Sequence, residues 1–295
     1  MNNELPLDNL EELKIYILTI IRENISTESY SWLQERVVVI TAQNEPLQLQ
    51  LSFAAISRKI EKKTVKIYPE QEKVIFNLVS GFCIKGWSMH RLCRAYILLN
   101  LDRAHKEQYC TTIESLFVNA EMNERADLFA ALTILAFPEH WVKICVEGIR
   151  SNMGVVQEAI MYNNPFPAKY LEEAAWNQLV LKAFFTEKNI NLITGIDQRA
   201  NAPLASTLID YAMERRAANR SVNIQLWRLV AKFIDDSNFE IIKGLLTSED
   251  EDTRLAAVLA CSESNYLPAK ILYDSLPEIK NKIVDDTLNW NNIGT

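Results

Sequence analysis

The chain has 295 residues, 48% hydrophobic and 23% charged, which is enough apolar material to bury a sizeable core and too much for a disordered or fibrous chain. Seven glycines and nine prolines make up roughly 5% of it, against about 12% in ordinary domains, and this argues against turn-rich β-sandwiches and glycine-rich nucleotide folds. The net charge of −7 sits in residues 235 to 295, which hold 12 acids and 5 bases, so no basic surface for nucleic acid is expected.

Along the chain, Met1 to Asp8 is polar and acidic, without the basic start and apolar run of a secretory signal. A cytoplasmic location is expected. Leu10, Leu13, Ile17, Ile20 and Ile21 then recur at helical spacing. Val37 to Ile40 and Val65 to Tyr68 look like brief strands, and Ser57 to Gly86 reads as a long connection. Its basic run of Arg58, Lys59, Lys62, Lys63 and Lys66 has no interleaved aromatics, and a solvated loop is expected there. Helical stripes resume at Trp87 to Leu101, Thr111 to Val118, Arg125 to Ala136 and His140 to Arg150. They continue at Leu171 to Phe185, Leu204 to Ala217, Leu226 to Ile234 and Thr253 to Cys261. The nearly apolar run Leu128 to Phe137 falls well short of the roughly 18 residues a membrane span requires, so no span is expected. Asn201 ahead of Pro203 and Asn223 ahead of Ile224 are helix caps by type, and Asn163-Asn164-Pro165 and Gly195 are stops.

At an offset of 129 residues, Leu116, Phe117, Glu121 and Arg125 match Leu245, Leu246, Asp250 and Arg254. This equals three units of 43, within the period of HEAT and armadillo helix pairs. The expected fold is all-α, with about a dozen helices in a HEAT/armadillo-like helical-pair solenoid. A single continuous domain would cover 1–295, with the HEAT-like character clearest over 237–290.

Gly81 and Gly86 have phosphate-loop spacing, but Trp87 and Ser88 stand where the lysine and hydroxyl are needed. No G-x-S-x-G occurs. His90, His105 and His140 form no ligand pair, and the five cysteines form no C-x-x-C. No catalytic residue, metal site or cofactor is therefore assigned. The candidate binding residues are polar and aromatic: Asn163, Asn164, Trp176, Asn177, Asp197, Arg199, Asn201, Tyr211 and Arg215. They are expected to converge from two loops and two helices, with Arg clamping an anion and Trp or Tyr stacking. In the competing reading they form a structural knot. Asn177 shares a helix face with Val180, Leu181 and Phe184, so its amide needs a partner, one candidate being the Asn163 and Asn164 loop, while Arg199 would pair with Asp210 or Glu214.

EGIRSNM at Glu147 to Met153, NNPFP at Asn163 to Pro167, AAWNQLVLKAFF at Ala174 to Phe185 and GIDQRAN at Gly195 to Asn201 together resemble the EboA family. So do DYAMERRAANR at Asp210 to Arg220 and LWRLV at Leu226 to Val230. The likeness is strongest over 147–230. Phe53 to Arg58, and Gly86-Trp87-Ser88 followed by an Arg-rich start, extend it upstream. The family pattern implies a histidine and a tryptophan where this chain has Met213 and Arg216. The resemblance implies a bacterial cytoplasmic protein of a secondary-metabolite gene cluster. A binding or scaffold role is expected, with prenyltransferase-like and synthase-like proteins of that cluster, or a small-molecule metabolite, as partners. The alternative is an enzyme acting on a prenylated or sugar-like intermediate.

Overall fold

The structure is a computed structural model in which residues 7–43 and 45–293 are described. The polar N-terminal stretch read in the sequence lies outside the described residues as far as residue 6. The described residues form seventeen α-helices and three short 3-10 turns, more than the dozen helices expected. No strand forms among them, only one bridge between Thr64 and Ser88. The chain divides into two compact units, Met1–Trp176 and Asn177–Thr295.

The first unit is built on α5 (Met89–Leu99), in which every residue from Leu92 to Leu99 is buried. Such all-round burial arises because α1 (Leu7–Asn24), α3 (Pro46–Lys59) and α7 (Met122–Ala130) all pack against it. In α1 the predicted stripe is the core face: Leu13, Ile17, Ile20 and Ile21 are fully buried. α2 (Thr27–Gln43) contains the strand-like run Val37 to Ile40. Tertiary packing overrides β propensity here, since Ile40 is buried and Val38 stands exposed, as two faces of a helix require. The expected long connection contains α4 (Pro69–Leu78). Pro69 occupies the first helical turn, where its fixed φ favours the helix, so it starts an element and does not break one. Val65 to Tyr68 forms no strand beyond the bridge at Thr64, and Val65 donates to Trp87 O at 2.8 Å while Met89 donates to Lys63 O at 2.8 Å.

α6 (Lys106–Asn119), α8 (Pro138–Arg150), α9 (Gly154–Met161) and α10 (Pro165–Tyr170) complete this unit, and the division falls within α11 (Glu173–Phe185). α5, α7 and α9 pack successively. α8 approaches α7 and α9 closely at Gly148, where a Cβ would lie 2.5 Å from Phe129 Cζ and 2.7 Å from Ile160 Cδ1. α5, α7 and α9 begin at Met89, Met122 and Gly154, closer together than a 43-residue period.

The second unit contains α12 (Ala202–Ala217), α13 (Leu226–Val230), α14 (Phe239–Leu245), α15 (Glu251–Glu263), α16 (Leu267–Asp274) and α17 (Pro277–Val284). α15 is its centre. Ala256 to Cys261 are buried without interruption, because α13, α14, α16 and α17 each pack on α15 and its small side chains admit them closely. The sequence match at offset 129 aligns two helix corners, α6 to α7 and α14 to α15, with Glu121 and Asp250 as the N-caps. Asp250 accepts from Thr253 N at 2.9 Å, and Arg254 Nη1 donates to Ser248 O at 2.6 Å, closing that turn. Gln225 Nε2 donates to Trp290 O at 2.7 Å, tying down a C-terminal segment in which Leu288, Trp290 and Ile293 are buried.

Candidate functional site

The nine residues singled out in the sequence divide between the two units, with Asn163, Asn164 and Trp176 in the first and the other six in the second. In the first unit Asn163 adopts a left-handed φ of 50° and turns the chain into α10. Asn164 is buried with its amide fully used. Oδ1 accepts from Phe166 N at 3.1 Å and Thr133 Oγ1 at 3.0 Å, and Nδ2 donates to Phe129 O at 3.1 Å and Ala159 O at 2.9 Å. One amide thus fastens α7, α9 and α10 together. Trp176 is fully buried.

In the second unit Asn177 and Asn201 exchange amide hydrogen bonds at 3.1 and 2.8 Å. Asn201 also caps α12 through Leu204 N at 2.9 Å, as its position before Pro203 predicts. Arg228 grips both carboxylate oxygens of Asp197 and donates to Asn191 Oδ1 at 2.9 Å. Asp210 and Glu214 are exposed, and Arg199 is half-buried. Arg215 donates to Tyr211 Oη at 3.2 Å and lies over its ring, and exposed Phe185 meets that ring edge-on. The structure therefore pairs Asn177 with Asn201, Asp197 with Arg228, and Tyr211 with Arg215.

A stronger constellation lies in the first unit, where sequence reasoning assigned no site. The bridge at Ser88 fixes the entry to α5, and Ser88 Oγ accepts from Arg91 N at 3.2 Å as its cap. Arg91 and Arg94 are three residues apart on α5, and Glu124 and Asp127 are three apart on α7, so each pair shares a helix face. Where α5 packs on α7 the two faces meet. Arg94 Nη1 donates to Asp127 Oδ2 at 2.7 Å, Arg91 Nε to Asp127 Oδ1 at 2.8 Å, and Arg94 Nη2 to Glu124 Oε1 at 3.2 Å. Arg94 is 2% exposed, gives its Nε to Phe53 O at 3.1 Å and lies over the Phe53 ring. Arg91 lies over Trp87 at 5.6 Å.

These four residues border a cleft of about 410 Å³ whose wall also includes Lys62, Ser88 and His90. His90 Nε2 is 2.8 Å from Ile60 O, and because a carbonyl only accepts, Nε2 carries the proton. The sequence signal was available: a pair of like charges at i, i+3 spacing on each helix, basic on α5 and acidic on α7. Burial pushes Cys93 and Cys145 up to about 12 and Cys261 to about 11, so at neutral pH these thiols stay protonated and unreactive. Among the described residues, no cluster of His, Cys, Asp and Glu is arranged to hold a metal, and no helix is long and apolar enough to cross a membrane.

Compared with known proteins, residues 13–231 match the family described as metabolite traffic protein EboA. The match includes the whole charged cleft and all nine predicted residues, and it ends before α14. No curated protein and no solved structure matches significantly.

Proposed function

The chain belongs to the EboA family, and from that premise we propose that it binds a small metabolite without converting it, with the α5–α7 cleft as the seat. The observation that carries this reading is the Arg91, Arg94, Glu124 and Asp127 quartet. It is a polar wall held rigid by its own ion pairs, beside a cleft large enough for a small molecule. Preorganised charges of this kind favour binding, because little side-chain freedom remains to be lost when a ligand arrives.

The remaining residues fit around this seat. Asn164, saturated by its own contacts, and the mutually bonded Asn177 and Asn201 hold the fold, while Tyr211 and Arg215 with exposed Phe185 offer a protein-facing platform. The successive packing of α5, α7 and α9, and of α13, α15 and α17, supports a HEAT-like arrangement within each unit. The family match crosses the division at residue 176, which supports one continuous domain. The proposed setting is the bacterial cytoplasm, with prenyltransferase-like and synthase-like proteins of the same metabolite gene cluster as partners.

Mass spectrometry of small molecules released from protein purified from its own host tests the reading. One metabolite is expected to be retained by the native chain, to be absent from a folded Arg91→Ala variant, and to keep its mass on prolonged incubation. A mass change that requires the protein would favour the enzyme alternative, and an empty protein would remove the carrier role.

A further inference from the structure

We propose that the α5–α7 cleft holds its ligand by an oxyanion, a phosphate or a carboxylate, seated between Arg91, Lys62 and the Ser88 hydroxyl. This rests on the cleft being the metabolite seat, and it follows from which polar groups there are already spent. Asp127 has both oxygens occupied, Oδ1 by Arg91 Nε and Oδ2 by Arg94 Nη1. Glu124 has both occupied as well, Oε1 by Arg94 Nη2 and Oε2 by the Glu121 N–H at 3.2 Å. The two acids of the quartet are thus neutralised and hydrogen-bonded, with little left to offer a cation or a ligand hydroxyl.

The donors are in the opposite state. Arg91 spends only Nε on Asp127, which fixes the guanidinium plane and leaves both amino groups for a ligand. A planar fork held in this way suits bidentate contact with an oxyanion. Ser88 Oγ accepts from Arg91 N, so its hydroxyl hydrogen is still available to donate. Lys62 lines the same cleft and pairs with no carboxylate among the described residues. Glu121, exposed at the cleft, is the opposing charge, and it supplies a control with the reverse sign. Of the basic run from Arg58 to Lys66, Arg58 and Lys59 form the last turn of α3, and exposed Lys62 lines the polar cleft.

Isothermal titration of the full chain with inorganic phosphate, and separately with acetate, each against chloride at constant ionic strength, tests the proposal. Saturable one-site binding is expected for at least one of the two, and the tighter anion identifies the source of the oxyanion. Lys62→Gln is expected to weaken binding roughly tenfold, the loss of one charge-assisted hydrogen bond, while Glu121→Gln tightens it. Both residues are exposed, so these variants stay folded. Failure of both anions to bind saturably, or binding unmoved by both exposed substitutions, would overturn the proposal. Should the native protein still retain a metabolite from its host in that case, the carrier reading stands and only the oxyanion falls. Should phosphate bind while nothing is retained from the host, the reverse holds.

Discussion

Arg94 is the residue on which the charged cleft depends. Its guanidinium satisfies Asp127, Glu124 and the Phe53 carbonyl at once while almost wholly withdrawn from water. Arg94→Met preserves much of the stem's packing but leaves Glu124 without its buried countercharge and Asp127 with one partner instead of two. We expect a loss of about 3–5 kcal/mol in urea unfolding, the usual consequence of removing one partner from a buried pair. Arg94→Lys is expected to be nearly as damaging, since an ammonium cannot present three nitrogens in a plane. The Asn177 and Asn201 amides make a second residue-scale prediction. Each satisfies the other, so a double-mutant cycle to alanine should show coupling of about 0.5–3 kcal/mol, with the double variant losing less than the sum of the singles. Asn201→Ala should be the more costly single change, because it also removes the cap of α12, worth about 1 kcal/mol. Additive losses in denaturant unfolding would contradict the pairing.

The helices themselves were legible wherever apolar spacing was regular, as in α1, whose predicted stripe is its buried face. They were less legible where a local signal had two meanings. Pro69 marks a break in one context and a first turn in another, and the Val37 to Ile40 run suits a strand until one face of α2 is covered. Short helices such as α9 and α10 carry too few turns for a period to stand out, and their ends are held by long-range bonds such as those of Asn164. At this scale Gly148 is the sensitive position, since α8 can approach Phe129 and Ile160 only with no side chain there. Gly148→Ala ought to be stabilising by helix propensity alone. We expect it instead to destabilise by about 1–3 kcal/mol through overpacking, read as a lower thermal midpoint. A midpoint equal to or above that of the native chain would show that Phe129 and Ile160 yield without cost.

Across the whole chain, the family match and the folded units do not share a boundary. The match ends at residue 231, yet α13, in which Leu226, Trp227, Leu229 and Val230 are buried, packs against α15 beyond it. Gln225 is bonded to Trp290, almost at the other end of the chain. A chain shortened to residues 1–231 is therefore expected to expose that apolar surface and to lose soluble expression and a cooperative melt of its C-terminal part. Recovery of soluble protein with an unchanged melt would show that α14 to α17 are dispensable. The low glycine and proline content and the 3.6-residue spacing by themselves determined that the chain is helical, and the motifs between Glu147 and Val230 marked its resemblance to the EboA family, because periodicity, caps and motifs are local properties carried by neighbouring residues. The same locality made the caps of Asn201 and the turn at Asn163 readable in advance. Only tertiary structure decided which polar groups are spent on one another and which face a cleft. Arg91 and Arg94 meet Glu124 and Asp127 only when α5 lies against α7, and the spacing of residues along one helix carries no information about the helix that will cover it.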